Sequence, residues 1–532
     1  MRKLFMPLTA AFLFIACSKF SDKPKLVVFI SIDQGMPVLL DKYDHLFTGG
    51  YRWLKDNGIQ FIQAYHEHGY TTTGPGYFVL SSGRHPGPGG VITNQWYNRD
   101  IQKGWYCVQD TSSQVLFDGS MGRSYKYIQA TTLGDWLKDF NPNSKVVSIA
   151  GKDRAAVLLG GKKADIALWY DKNGGWTSST YYITELPQWV KSFNEDLNTP
   201  SYIDSVWNRI ADEDIYLSNA RPDHFNGEAD WSPKEGYSPT FPIEFNEMDE
   251  KSFLGIYAYT PFGDASVLEL GLKAVEKYKM GRDNNPDILF LGLSATDGIG
   301  HEFGPHSQEQ LDNYLRLDEN LGKFIQYLEA TIGAGKVLYV ATSDHGSIEL
   351  PEYLLSKGVD AGRISKVKRD SLYAVVKNKI EKLIGPDKVV RYGNFFYYAN
   401  SINPLEKEVA TGILKTHLSK LEGIRIVITK EDMLKGGESV YQQRLRNMVH
   451  PEKSPDIYLI PKKYWTWRYP YGASHGSPYD YDAHIPLIFS QAGMKQKLKS
   501  KRVKSVDIAP TVANILGLAF PKIVDGEVLL IN

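Results

Sequence analysis

Four short, continuous apolar runs constrain the fold of this chain more than any other feature of its sequence. They span residues 26–32, 145–150, 287–293 and 336–342. A strand that is buried on both faces, as in a parallel sheet, has such a near-continuous apolar pattern. The four runs therefore predict the central strands of a mostly parallel sheet.

Helical patterns between these runs predict the layers that cover the sheet. The clearest helix spans residues 307–332, where Leu311 and Leu321 belong to an apolar stripe at helical spacing. Ser307 and Gln310 predict a capping box at its start. Strands that alternate with helices indicate an α/β fold with helices on both faces of the sheet.

The balance of charge argues against one broad class of function. The chain has 532 residues, and 61 Lys and Arg side chains face 61 Asp and Glu side chains, so the formal net charge is zero. No basic tract stands out as a surface for nucleic acid. We therefore predict no nucleic-acid partner.

The N-terminus predicts export. Arg2 and Lys3 precede an apolar stretch at residues 4–16. This stretch has the length of a signal-peptide core and is too short for a transmembrane helix. We predict a protein of the periplasm, or one anchored in the outer membrane, of a Gram-negative bacterium.

A cysteine at the end of the apolar stretch predicts the type of signal. Ala16 and Cys17 resemble a bacterial lipobox, which indicates a lipoprotein signal peptide at residues 1–17 and a possible lipid anchor at Cys17. Phe14 departs from the usual aliphatic residue, so ordinary signal cleavage remains an alternative. Residues 18–24 are predicted to be a polar linker.

Three aspartates lie where the parallel strands are predicted to end. Asp33 and Asp344 closely follow apolar runs, and Asp297 lies just past a third run. Sites in such sheets form beyond the carboxyl ends of the strands. One aspartate there is common as a helix cap. Three of them, two with histidines nearby, favour a metal site.

Three histidines are the predicted partners of these carboxylates. His301 and His345 lie close to Asp297 and Asp344 in sequence, and glycine and serine flank His475. Carboxylate and neutral imidazole ligands suit zinc. His484 is the main rival of His475.

The segment 70–76 predicts the reacting group. Three threonines precede Gly-Pro-Gly, an arrangement that places a hydroxyl at the start of a helix. Taken by itself, such a segment more often forms an ordinary polar turn before a helix. Because the predicted metal ligands accompany it, we interpret Thr73 as a nucleophile.

These residues together resemble the alkaline phosphatase superfamily, and most closely its PafA-type bacterial phosphatases. The resemblance is carried by seven short motifs in a fixed order, at residues 31–33, 73–76, 94–97, 152–154, 296–301, 343–346 and 475–478. It implies an alkaline-phosphatase-like three-layer sandwich over residues 25–532. We predict subdomains inserted at about residues 84–126, 162–251 and 350–467.

The resemblance also implies two zinc ions and the residues that hold them. One zinc would be bound by Asp297, His301 and His475. The other would be bound by Asp33, Asp344, His345 and the Thr73 hydroxyl.

Three further residues would contact the substrate if the resemblance holds. Asn94, Lys152 and Arg154 are implied as ligands of the phosphoryl oxygens. From the residues alone, Asn94 is equally well a turn residue, and Lys152 and Arg154 fit a solvated turn after a strand.

The implied activity is hydrolysis of phosphate monoesters through a phosphothreonine. The charges of two zinc ions, three aspartates and a threonine alkoxide sum to zero, so Lys152 and Arg154 would leave an excess of +2 that matches a monoester dianion. One alternative is a phosphodiesterase or nucleotide pyrophosphatase on the same scaffold. Another is a lipid-anchored binding protein with a vestigial metal site. The natural monoester and the oligomeric state are not predicted.

Overall fold

The computed structural model of the protein describes residues 23–229, 231 and 240–531. The predicted signal peptide, Cys17 and most of the predicted linker lie outside the described residues. Within the described ranges, no helix is both long enough and apolar enough to cross a membrane.

A nine-stranded sheet lies at the centre of the described chain. Its strands, in chain order, are β1 Leu26–Ile32, β2 Gly58–Phe61, β3 Val146–Ala150, β4 Ile166–Asp171, β5 Gly175–Thr177, β6 Asp287–Leu293, β7 Val337–Thr342, β8 Leu487–Ser490 and β9 Lys497–Lys499. They are arranged in the order β5-β4-β3-β6-β1-β7-β8-β2-β9.

The central strands of this sheet are parallel and its flanks are mixed. β1 pairs in parallel with β6 and β7, and β3 pairs in parallel with β4 and β6. Antiparallel pairs join β7 to β8, β8 to β2 and β4 to β5, while β2 and β9 are parallel. The four strands predicted from the apolar runs are therefore confirmed as β1, β3, β6 and β7.

Helices cover both faces of the sheet. In the described ranges they are α1 Pro37–Lys42, α2 Gly50–Asp56, α3 Thr73–Ser82, α4 Pro86–Gly89, α5 Leu133–Phe140, α6 Asp153–Gly160, α7 Gln188–Leu197, α8 Glu213–Asn219, α9 Glu250–Ile256, α10 Pro261–Tyr278, α11 Ala295–Phe303, α12 Gln308–Ile332, α13 Pro351–Ser356, α14 Lys366–Ile384, α15 Pro404–Leu418, α16 Lys430–Lys435, α17 Val440–Asn447, α18 Asp480–Ala483 and α19 Ile508–Leu516.

Two separate hydrophobic cores show that the fold has three layers. Val28 and Ile30 of β1 pack into one core with side chains from α2, α10 and α12. Val27 and Phe29 of the same strand pack into the other core with α3, α5, α6 and α19. Because successive side chains of a strand point to opposite faces, β1 contributes to both cores. This arrangement confirms the predicted three-layer α/β fold.

The clearest predicted helix corresponds to α12, but only half of its predicted capping box forms. The Ser307 hydroxyl accepts a hydrogen bond from the backbone N–H of Gln310 at 3.0 Å. The Gln310 side chain does not return to the cap; it donates to the Thr296 carbonyl oxygen at 2.8 Å. The tertiary contact with α11 replaces the local one.

Smaller sheets and hairpins surround the central sheet. Their strands are Ala64–Tyr65, Gln95–Asn98, Lys103–Tyr106, Gln109–Gln114, Met121–Arg123, Val206–Trp207, Ile243–Glu244, Gly362–Arg363, Val389–Tyr392, Phe395–Tyr398, Ile424–Thr429, Ile457–Pro461, Trp465–Thr466, His484–Ile485 and Val503–Lys504.

Part of the predicted insertion at residues 162–251 belongs to the central sheet. Residues 162–251 were predicted to lie over the core sheet, yet β4 and β5 within that range extend the sheet itself. The aromatic side chains of Trp169 and Tyr170 interrupt the simple apolar pattern there, although both are buried. By contrast, residues 350–467 contain a four-stranded sheet that packs with α14 and α15 around a core of its own.

The carboxyl ends of the central strands lie side by side. Ile32 pairs with Leu293, and Ser31 pairs with Thr342, so β1, β6 and β7 end at nearly the same level. The backbone N–H of Asp33 donates to the Leu293 carbonyl oxygen at 2.8 Å, which continues this register past the strand. The sheet therefore brings the segments that follow β1, β3, β6 and β7 to one edge.

Candidate metal and phosphoryl-transfer site

Two carboxylates and an imidazole form the first group at this edge. His345 Nε2 lies 3.4 Å from Asp33 Oδ1 and 3.3 Å from Asp344 Oδ2. All three side chains are fully buried. These three atoms find no hydrogen-bond partner among the described residues, although each is a buried polar atom. Such atoms need a partner, and a cation bound between them would supply it.

The second group surrounds Asp297, which lies in the first turn of α11. The Nε2 atoms of His301 and His475 lie 3.3 Å and 3.4 Å from Asp297 Oδ1. His301 is four residues further along the same helix, so the two side chains share one face of α11. The donor atoms of Asp297, His345 and His475 also lie within 4.8 Å of one another.

His345 lies between the two groups. Its ring stacks on His475 with a centroid separation of 3.6 Å. The structure thus brings all six predicted metal ligands together. The implied division into two sets of three remains a prediction, because His345 is close to the donor atoms of both groups.

Backbone carbonyl groups determine which nitrogen each histidine presents to the site. The Nδ1–H groups of His301, His345 and His475 donate to the carbonyl oxygens of Ala473, Gly346 and Thr71 at 2.8, 3.0 and 2.8 Å. In a neutral imidazole with Nδ1 protonated, Nε2 carries a free lone pair. In their neutral forms all three histidines would therefore offer Nε2 lone pairs to the same pocket, as metal-binding histidines do.

The charges of the pocket also favour a bound cation. Burial and the neighbouring Asp33 carboxylate raise the pKa of Asp344 well above its usual range. Burial also disfavours the charged form of Asp297, but His301 and Lys152 outweigh it and hold the pKa of Asp297 well below its usual range. Burial and the adjacent His475 lower the pKa of His345, which keeps its imidazole neutral. Burial disfavours the charged form of His301, but in the absence of a metal ion Asp297 outweighs it and raises the pKa of His301. The neutral His345 imidazole and the crowded carboxylates are donors that suit zinc.

Lys152 connects the two groups. It directly precedes α6 and is buried, and its ammonium donates to Asp33 Oδ2 at 2.6 Å and to Asp297 Oδ2 at 2.5 Å. Burial alone would lower the pKa of Lys152, but Asp297 and Asp33 raise it. An ammonium has three donors, so one proton remains for a further acceptor. The predicted role of Lys152 in binding an anion stays a prediction.

The predicted nucleophile is the first residue of α3. Thr73 is buried, and Arg154 Nη2 lies 3.4 Å from its Oγ1. The positive end of the helix dipole and the guanidinium both favour negative charge at this oxygen. Asn94 Oδ1 accepts a hydrogen bond from the Gly74 N–H at 2.6 Å. Asn94 and Arg154 therefore flank the start of the helix.

A polar chain that the sequence did not predict holds Arg154 in place. Arg154 Nη1 donates to the Tyr106 hydroxyl at 3.4 Å, and that hydroxyl donates to Asp153 Oδ1 at 2.5 Å. Arg123 Nε donates to the other oxygen of Asp153 at 2.6 Å. Tyr106 and Arg123 lie in hairpins outside the central sheet, so no local pattern indicated their contact with Arg154.

Two other residues that contact the candidate site or its helix α11 also escaped the sequence analysis. Gln34 contacts carboxylates of both metal-ligand groups. Asp264 accepts hydrogen bonds from the N–H groups of Ser294 and Ala295 at 2.7 and 3.1 Å, and thereby anchors the start of α11. In the sequence, only the position of Gln34 directly after Asp33 could have indicated that Gln34 lies at the site.

His484, the predicted rival of His475, lies elsewhere. Its Nε2 pairs with the Ile62 carbonyl oxygen at 3.0 Å, and its ring stacks on Tyr65. His475, and not His484, therefore lies in the candidate site.

Comparisons with known proteins identify the family and the fold of the chain. The family of type I phosphodiesterases and nucleotide pyrophosphatases matches residues 27–482. A protein of Myroides odoratus named calcium-transporting ATPase is 31% identical, over 95% of this chain and 94% of its own length. Alkaline phosphatase PhoV of Synechococcus elongatus is 31% identical, over 95% of this chain and 92% of its own. The crystal structure of alkaline phosphatase PafA superimposes with a TM-score of 0.89 at 28% identity, covering 96% of this chain and 99% of that one.

Close packing of α3 against Asp344, a predicted metal ligand, yields a testable prediction. A Cβ atom on Gly76 would lie 2.2 Å from the Asp344 carbonyl oxygen and 2.7 Å from its Cβ. We expect Gly76→Ala to displace Asp344 or α3, to lower stability by about 1–3 kcal/mol and to reduce metal content. Urea unfolding and elemental analysis measure both effects.

Gly412→Ala is the matched control for this substitution. Gly412 lies in α15, where an added Cβ would meet no atom within 4 Å. This variant should keep its metals and match or slightly exceed the wild-type stability, because alanine favours a helix. Equal behaviour of the two variants would contradict the proposed constraint at Gly76.

Proposed function

The chain belongs to the type I phosphodiesterase/nucleotide pyrophosphatase family and is an alkaline-phosphatase-type hydrolase, and from this we propose that it hydrolyses phosphate monoesters with two zinc ions through a phosphothreonine at Thr73. One observation carries the proposal. Two groups of carboxylate and imidazole donors lie at the same sheet edge as the hydroxyl of Thr73, which is the first residue of a helix and contacts the half-buried Arg154.

The residues of the pocket fit the two proposed metal ions. Three carboxylates and three Nε2 atoms converge there, and Asp33 Oδ1, Asp344 Oδ2 and His345 Nε2 find no other partner among the described residues. When bound, zinc ions would supply Lewis acidity and would lower the pKa of a coordinated hydroxyl group.

The chain's own groups would position and carry the transferred phosphoryl group. Thr73 Oγ1 would form a bond to phosphorus as the bond to the leaving alcohol oxygen breaks. Water would then displace Thr73 Oγ1 and release inorganic phosphate. Arg154 beside Oγ1 would hold the oxygens of the phosphoryl group, as a guanidinium can with two parallel hydrogen bonds.

Asn94 and Lys152 have donors left for the same task. Asn94 uses its carbonyl oxygen to accept from Gly74, which leaves its amide N–H groups for a phosphoryl oxygen. Lys152 already pairs with Asp33 and Asp297, so its third proton would be available. Phosphoryl transfer depends mainly on such positioning and neutralisation of charge.

The balance of charge favours monoesters over diesters. Two divalent ions, three carboxylates and the Thr73 alkoxide sum to zero, and Lys152 and Arg154 add two positive charges. A monoester dianion matches this excess, whereas a diester carries one charge less. The phosphodiesterase alternative is therefore not favoured.

Export and lipidation of Cys17 belong to the same proposal. They rest on the N-terminal sequence, in which a basic start precedes an apolar stretch and a cysteine. The periplasm, or the outer membrane, is the proposed location.

The proposed pair of ions predicts the metal content. We expect two zinc ions per chain by elemental analysis, and loss of activity on chelation that added zinc restores. One metal or none in fully active protein would contradict the two-metal proposal.

Substitutions of Thr73 test the nucleophile. Thr73→Ala should abolish turnover, because no hydroxyl remains to attack phosphorus. Thr73→Ser should retain a measurable fraction, since serine keeps the hydroxyl. Acid quenching and peptide mapping should locate the trapped phosphate on Thr73. Unimpaired turnover of Thr73→Ala, or phosphate on Thr71 or Thr72, would contradict this assignment.

Removal of the two cations tests the preference for monoesters. Charge-assisted hydrogen bonds are worth roughly 1.5–3 kcal/mol each. Lys152→Ala with Arg154→Ala should therefore lower kcat/KM for an aryl monoester by about two to four orders of magnitude. Hydrolysis of the matching methyl diester should fall much less.

Two controls separate charge selection from metal loss. Lys152 contacts two proposed metal ligands, so the zinc content of each variant must be measured. Arg154 contacts Thr73 and Tyr106 instead, so Arg154→Ala alone should keep two zinc ions and still lose monoester activity preferentially. Equal losses on both esters would contradict the selection by charge.

A further inference from the structure

The backbone of Gln34 adopts a left-handed conformation that is unusual for a residue other than glycine. Gln34 follows Asp33 at the end of β1 and adopts a φ of 64°, in the left-handed region. It is 1% exposed. Residues other than glycine, asparagine and aspartate rarely adopt this conformation, and strained residues of this kind cluster at functional sites. The surrounding contacts of Gln34 must therefore stabilise its conformation.

The left-handed conformation lets Gln34 contact both groups of proposed metal ligands. Its backbone N–H donates to Asp344 Oδ1 at 3.1 Å. Its side-chain Nε2 donates to Asp297 Oδ1 at 2.9 Å. One residue thus orients a carboxylate of each group, and the two contacts come from different parts of that residue.

The packing around the amide determines its orientation. Only the NH₂ end of the amide can donate to the Asp297 carboxylate, so Oε1 points away from it. Oε1 lies 1.9 Å from the position that a Cβ on Gly300 would occupy. Glycine at position 300 of α11 therefore provides the space in which the Gln34 amide reaches Asp297.

We infer that Gln34 is a positioning residue whose side chain holds Asp297 in its metal-binding orientation and whose backbone N–H holds Asp344. The inference rests on the proposed two-metal function. A carboxylate oxygen has lone pairs for both a hydrogen bond and a metal ion, and donors to metal-bound carboxylates commonly strengthen metal binding. Because the two contacts are separable, a change of the side chain acts on the Asp297 group alone.

Two substitutions remove the side-chain contact by different routes. Gln34→Asn keeps an amide and tolerates the left-handed backbone, but the shorter side chain does not reach Asp297. Gln34→Met keeps the length and has no donor. Both variants retain the backbone N–H that contacts Asp344.

The measurement is zinc occupancy per chain over a series of buffered free zinc concentrations. Wild-type protein should show two binding steps. In both variants we expect one step to weaken by about 10–100-fold, the range typical of lost contacts to metal ligands. The other step should stay unchanged. Loss of neither step, or equal loss of both, would overturn the inference.

Gln102→Asn is the matched control. Gln102 also has a left-handed backbone, with a φ of 52°, and it lies exposed on the surface. The same substitution there should leave both binding steps at their wild-type strength. A weakened step in this control would show that the effect of Gln34→Asn does not depend on Asp297.

A double-mutant cycle identifies the affected site. His301→Ala removes a proposed ligand from the Asp297 group and should abolish or weaken one step. If Gln34 acts through that group, adding Gln34→Asn should not weaken the remaining step. Further weakening of that step would overturn the inference. Wild-type protein with fewer than two sites would instead contradict the proposed function, and the inference with it.

Discussion

The structure depends on the burial of three carboxylates at one edge of a parallel sheet. Asp33, Asp297 and Asp344 are all nearly or fully buried, where an unpaired charge is strongly disfavoured. Lys152 supplies one positive charge between two of them. The remaining negative charge is the physical reason to place cations in this pocket. Asp33 Oδ1, Asp344 Oδ2 and His345 Nε2 find no hydrogen-bond partner among the described residues, and a cation bound there would also satisfy these atoms.

The rigid sheet makes this arrangement possible, since its parallel strands end at one level. Asp33 continues the hydrogen-bond register of β1 and β6, and Lys152 follows β3, the next strand. Groups fixed in this way lose little conformational freedom when they bind an ion or an anion, which is the basis of preorganised catalysis. Arg154 is held by a chain of polar contacts instead, through Tyr106 and Asp153.

Hydrogen bonds with neighbouring groups orient the side chains of the candidate metal ligands. Backbone carbonyls select the tautomer of three histidines, and Gln34 contacts two carboxylates at once. Glycine residues provide the close approach that these contacts need, as Gly76 does beside Asp344 and Gly300 beside Gln34. The geometry of the candidate site therefore depends on packing as well as on the identity of its predicted ligands.

The amino-acid sequence alone determined the central strands, the layer architecture and the aspartates and histidines that come together at the candidate site. Apolar runs report burial directly, and the aspartates that follow them must lie at the carboxyl edge of a parallel sheet. Only the tertiary structure decided which atoms meet. The carbonyl partner of His301 lies 172 residues away and that of His475 lies 404 residues away, and no local pattern encodes such contacts. The same holds for Lys152 between two carboxylates and for the left-handed backbone of Gln34, because both depend on charges and packing that distant segments supply.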